Sequence, residues 1–148
     1  MEHPTSRPAP VQAWHDFAQN PDPEVLQAML APDVVFQSPA VHRPQDGPRI
    51  TFAYLWAAVQ VLGPTLRYGE EWYSDSSAVL EFTATLGSDD GEGMSARDVQ
   101  GIDMIRWNEQ GLITEFTVMA RPLRGLEALI AEMATALEML AQQAGADS

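Results

Sequence analysis

"RDVQGIDMIRWNEQGLITEFTVMARP", residues 97–122, reads as two strands closing around a turn, and it places an ionisable group where one strand should be dry. Side chains along a strand alternate between faces. Val99, Gly101, Asp103, Ile105 and Trp107 therefore share one face, and Asp98, Gln100, Ile102, Met104 and Arg106 share the other. In the second run Leu112, Thr114, Phe116, Val118 and Ala120 alternate with Ile113, Glu115, Thr117, Met119 and Arg121. Pairing Trp107 with Leu112 across "NEQG" brings the drier faces together and sets Asp103 opposite Phe116. A three-residue turn with a glycine bulge would instead pair Trp107 with Ile113 and swap the faces of the second strand. Both registers stay open at this point, and the first is the expectation.

The rest of the 148-residue chain bounds what that aspartate can serve. With 45% hydrophobic residues the chain can bury one ordinary core. Its 21 acidic and 8 basic residues leave a formal charge of −13, which repels nucleic acid and anionic membranes. Every basic residue is arginine, so Schiff-base lysine chemistry and a lysine-type phosphate loop drop out. The absence of cysteine removes thiolate nucleophiles, disulfides and cysteine-ligated metals and suits a reducing compartment. "MEHPTSRPAP" lacks the layout of a signal peptide, and no apolar run reaches the roughly 18 residues of a membrane span. The expected location is the cytoplasm.

Proline-rich residues 1–10 read as a disordered lead-in, 11–142 as a single domain and 143–148 as a frayed tail. Trp14, Phe17 and Ala18, then Val25, Leu26, Met29 and Leu30, fall at helical spacing on either side of "NPDP". "DVVFQS" reads as a strand, "PAVHRPQDGP" as a loop too rich in proline for regular structure, and "RITFAYLWAAVQVLG" as an apolar helix. "LRYGEEWYSD" and "SSAVLEFTATLG" read as strands, and "SDDGEG" as a solvated turn before the hairpin. After Pro122 an amphipathic stripe of Leu126, Leu129, Ile130, Met133, Leu137 and Leu140 closes the chain. The order predicts an α+β fold with helices covering one face of a mostly antiparallel sheet.

That order, with "LAPDVVFQSP", the "GIDMIRW-NEQG-LITEF" hairpin and the "RPLRGL" exit, resembles the nuclear transport factor 2-like (NTF2-like) superfamily over roughly residues 12–140. Within it, the SnoaL-like members and the ketosteroid isomerases are the most similar. The resemblance implies a cone-shaped, cystatin-like fold around a deep apolar pocket, with dimerisation through the open sheet face. It spans isomerases, cyclases, hydrolases, dehydratases and non-catalytic binding subunits, so it implies no single activity. In the isomerase pattern Asp103 falls on the aspartate that stays protonated and donates to an oxyanion. Ser38 stands where that pattern has its catalytic aspartate base, and Trp14 where it has its principal tyrosine. Tyr54 falls near a second tyrosine. SnoaL-like cyclases use one pocket aspartate as acid and base. Arg97 and Asp98 do not reproduce the spacing of the Asp-Arg-Asp set of the epoxide hydrolases that share the fold.

Asp103 is thus the first candidate for acid–base chemistry, the competing reading being a structural carboxylate tied to a neighbouring hydroxyl or indole. His42, on the loop after Ser38, is a candidate replacement base, and Tyr54 a candidate donor. Trp14, Phe17, Phe36, Ser38, Trp56, Phe82, Phe116 and Val118 are the expected lining of a ligand cavity. His15 reads as a surface residue. Histidines at 3, 15 and 42 have no metal-ligand spacing, so neither metal nor other cofactor is expected. The expected ligand is a small apolar or aromatic molecule, with an enzyme and a plain binding module both open. A homodimer is expected through the face that carries Ile102, Met104, Ile113 and Met119.

Overall fold

The computed structural model describes residues 7–87 and 97–146, with side chains described to residue 143. The acidic turn "SDDGEG", residues 88–93, lies outside the described residues. Helices α1 (Ala9–Gln19) and α2 (Pro23–Met29) lead into strand β1 (Leu30–Gln37). A two-residue strand β2 (Gln45–Asp46) precedes helix α3 (Pro48–Leu62). Strands β3 (Arg67–Tyr73), β4 (Ser77–Leu86), β5 (Arg97–Trp107) and β6 (Ile113–Arg121) follow, and helix α4 (Leu123–Ala146) closes the chain. Each of the first three helices has proline in its first turn, where the missing N–H is no loss. Asp22 caps α2 by accepting from the Glu24 backbone N–H at 2.9 Å.

The six strands form one curved, unclosed sheet in the order β2-β1-β6-β5-β4-β3. β1 runs parallel to β6, and the other neighbours are antiparallel. The helices sit on one face. Leu80, Phe82, Ala84, Val99, Ile105 and Phe116 from the sheet meet Val11, Phe17, Leu26, Leu55 and Leu129 from the helices in one buried core.

Three sequence expectations change. The loop "PAVHRPQDGP" contains β2, whose Gln45 and Asp46 pair with Phe36 and Val35, because a two-residue bridge needs little regular backbone. Helix α1 starts at Ala9, inside the stretch read as a lead-in, and α4 continues to Ala146. The hairpin register is neither of the two simple ones. Trp107 pairs with Ile113, a bulge follows, and from there Arg106 faces Glu115, Ile105 faces Phe116 and Asp103 faces Val118. The turn closes through Gly111, whose φ is +79°, with the Asn108 side chain accepting from the Gln110 and Leu112 backbone N–H groups. The glycine turn swaps the faces and the bulge swaps them back. Phe116 and Val118 therefore still share the dry face with Asp103, two residues out of the expected register.

Candidate active site

Val99, Gly101, Asp103 and Ile105 are buried on the helix-covered face of β5, as alternation requires. Asp103 is 6% exposed, and its cross-strand neighbours are Leu80 and Val118, neither of which can bond to it. Among the described residues its one hydrogen-bond partner arrives from β3, two strands away. The Tyr68 hydroxyl donates to Asp103 Oδ2 at 2.6 Å, and the Trp14 indole N–H of α1 donates to the Tyr68 oxygen at 2.7 Å. All donors in this chain point toward the carboxyl group. Trp14 has no second polar role to play, so the order Trp14, Tyr68, Asp103 has a single sense.

No arginine or histidine pairs with Asp103 among the described residues. Burial accordingly pushes its carboxyl up from 3.8 to about 7, and the Tyr68 hydrogen bond pulls only partly back. The Tyr68 phenol is held well above its ordinary value of 10, by burial first and then by the charge of Asp103. It stays a donor.

Both groups face a cavity of about 170 Å³. Trp14, Phe36, Phe82 and Phe116 give it an aromatic wall, Val118 lies beside Asp103, and Ser38 and Tyr54 stand among its lining. Ile130, Met133 and Leu137 of α4 cover it from the helix side. Among the described residues no arginine or histidine lines it. Ser38 Oγ accepts from the Ala40 backbone N–H at 3.0 Å, which leaves its proton free to donate.

Trp14, Phe36, Ser38, Tyr54, Phe82, Phe116 and Val118 line the cavity. Three other candidates do not. Phe17 and Trp56 meet each other, ring centroids 6.2 Å apart, and fill space between helices rather than the cavity wall. His42 is exposed and stands outside the cavity lining, to which its neighbour Val41 belongs. His15, read as a surface residue, is 7% exposed. Tyr68 was not singled out by the sequence, although a signal was present. Gly69 in the middle of a strand pattern marks a bulge, and one lies between Tyr68 and Glu71. It lets Tyr68 point inward together with Glu71 and Tyr73, which strict alternation forbids.

The profile of the SnoaL-like domain matches residues 11–116. Among solved structures, the chain is 35% identical to a steroid delta-isomerase from Pseudomonas aeruginosa, covering 90% of this chain and 93% of that one with a TM-score of 0.78. An uncharacterised protein with a cystatin-like fold from Silicibacter pomeroyi is 28% identical, covering 86% and 84% of the two chains at a TM-score of 0.73. An NTF2-like protein of unknown function from Mesorhizobium loti, 18% identical over 81% of this chain and 98% of that one, shares the fold at a TM-score of 0.63. No curated protein matches the sequence significantly. With its α+β cone, its profile match and its isomerase relative, the chain belongs to the SnoaL-like family of the NTF2-like superfamily.

Proposed function

We propose that the protein binds a small, largely apolar molecule in the internal cavity, and that Asp103 exchanges a proton or hydrogen bond with an oxygen atom on it. One observation carries this reading: a buried carboxyl group with a single donor among the described residues stands at the wall of an otherwise apolar cavity. Tyr68 occupies Oδ2. A proton on Oδ1 is therefore available to a ligand carbonyl, ether or phenol, and a carboxyl group titrating near neutrality serves either direction of transfer. Acid–base turnover of the cyclase or isomerase type and simple binding both use this arrangement. The name of the Pseudomonas aeruginosa relative points to double-bond migration in steroids. Against that activity here, Ser38 replaces the carboxylate base, and the cavity is close in size to a benzene-binding void of about 150 Å³.

The test uses acetophenone, one ring with a carbonyl, against ethylbenzene, its hydrocarbon analogue, followed by NMR of the Leu80 and Val118 methyl groups. Acetophenone should bind roughly fivefold more tightly at pH 6, the value of one hydrogen bond of about 1 kcal/mol, and Asp103→Leu should erase the preference. Equal affinities would remove Asp103 from the reading. Silence toward both probes would remove the cavity.

A further inference from the structure

Behind Tyr68, on the side away from the cavity, a second buried acid is treated in the opposite way. The Glu71 side chain is 7% exposed. It accepts from Arg7 Nε at 3.1 Å and from the Tyr73 hydroxyl, and it pairs with His15 Nε2. Among the described residues Asp103 has no cation and one donor, whereas Glu71 has an arginine, a histidine and a phenol. A buried ion pair adds little net stability over well-packed apolar residues, and in some proteins such groups serve to specify one arrangement.

The arrangement Glu71 specifies is the approach of α1 to β3. Because β3 ends the sheet, its far edge has no strand neighbour among the described residues. Two polar cross-links join it to α1. His15 reaches Glu71, and the preceding residue, Trp14, reaches Tyr68. The His15 ring also stands edge-on to Tyr68, centroids 4.7 Å apart at 84°. The bulge between Tyr68 and Glu71 aims both side chains at the same helix. Around the cluster, Gln12 bridges Arg7 at 3.2 Å and Asp16 at 2.8 Å, and Arg67 borders the polar cleft that opens beyond it.

We infer that Glu71 and His15 are positioning residues, holding α1 against β3 so that the Trp14–Tyr68 donor pair stays aimed at Asp103. The inference rests on Asp103 being the working group of the cavity, but its test needs no ligand, so the acetophenone experiment can fail while this one succeeds. The carboxyl resonance of Asp103 is followed through a pH titration by NMR in the full-length protein. Tyr68→Phe removes the donor that favours the carboxylate, and Asp103 should hold its proton more tightly. Glu71→Ala should move Asp103 the same way, with proton binding at least about threefold tighter. The double variant should match Tyr68→Phe alone, since both act through one hydrogen bond. Glu71→Gln, which can still accept from Arg7, should recover part of the wild-type titration.

The sign separates positioning from a direct field. Removing a negative charge near a carboxyl group weakens its hold on a proton, the reverse of the expected result. An Asp103 titration in Glu71→Ala that is unchanged or moves to lower pH overturns the inference, as does a double variant in which the two effects add. Should Glu71→Ala not fold, His15→Leu against His15→Gln, which keeps a donor toward Glu71, reads the same quantity. Equal Asp103 titrations in those two variants overturn it likewise.

Discussion

Asp103 and Glu71 are chemically similar acids with buried side chains, yet one carries a raised pKa and the other is bound by an arginine, a histidine and a phenol. The difference lies in what reaches each from outside its strand pairing: Leu80 faces both acids, but Arg7, His15 and Tyr73 converge on Glu71. Leu80 and Val118 flank Asp103 and supply nothing to a charge. The folded carboxyl therefore titrates near 7 where the unfolded one titrates near 3.8. The folded state binds the extra proton between those values, so stability falls as pH rises from about 4 toward 7 and is level above. That interval corresponds to roughly 4 kcal/mol at most. Asp103→Asn keeps the shape and an acceptor for Tyr68 but removes the titration. In urea melts the variant should match wild type near pH 3 and exceed it by up to that amount at pH 8. A variant less stable than wild type at pH 8 would mean that the carboxylate is favoured in the fold. Asp103 was legible in the sequence because alternation alone puts it on a dry face. Tyr68 was not, because its inward direction depends on a bulge.

At the scale of elements, β5 and β6 are held by two glycines for different reasons. Gly111 needs its φ of +79° to close the turn, where a side chain costs about 1 kcal/mol. Gly101 needs space: a Cβ there would lie 2.4 Å from the Met119 carbonyl oxygen and 2.5 Å from Phe82 Cζ. Phe82 lies across Gly101, and Tyr68, paired with Phe82 on the next strand, passes it to reach Asp103. Gly101→Ala should therefore destabilise the protein more than Gly111→Ala, by about 1–3 kcal/mol, because the β6 backbone must move. It should also disturb the Trp14 indole resonance, which Gly111→Ala should leave in place. Equal melting curves for the two variants would count against this packing. The strands themselves follow from period two, and the helices from their apolar spacing and prolines. The hairpin register does not, since glycine turn and bulge each shift the pairing and their sum is invisible to a pattern of alternation.

For the molecule as a whole, the open sheet face and the closed cavity lead to separate expectations. Trp72 is 52% and Met119 51% exposed. Trp72 pairs with Val79 and Val79 with Met104, which makes an apolar row across the outer face. Ile113, expected on that face, is instead 1% exposed, because the glycine turn pairs it with Trp107 ahead of the bulge. We propose that this face joins two copies of the chain. Light scattering at micromolar concentration should report a dimer and Met119→Glu a monomer, whereas a 16.2 kDa wild-type species would refute the interface. The cavity speaks to substrate size. Without a base at Ser38, and with room for about one ring, the protein should not isomerise 5-ene-3-ketosteroids at an enzymatic rate, a base being worth about 10²–10⁴ in rate. Turnover in a direct absorbance assay, lost in Asp103→Asn, would show that the cavity opens and that Asp103 suffices.

The amino-acid order by itself determined the α+β class, the cone of the family and the burial of Asp103. These depend on periodicity and on motif residues close together in the chain, which are local properties. Only the tertiary structure decided what surrounds that acid. Trp14, Tyr68 and Asp103 come from α1, β3 and β5, and they meet because β3 lies two strands from β5 and α1 crosses above it. The exposure of His42 and the burial of His15 were decided the same way. A side chain's neighbours across 30 or 50 residues depend on packing and on single-residue bulges, and no pattern within one segment carries that information.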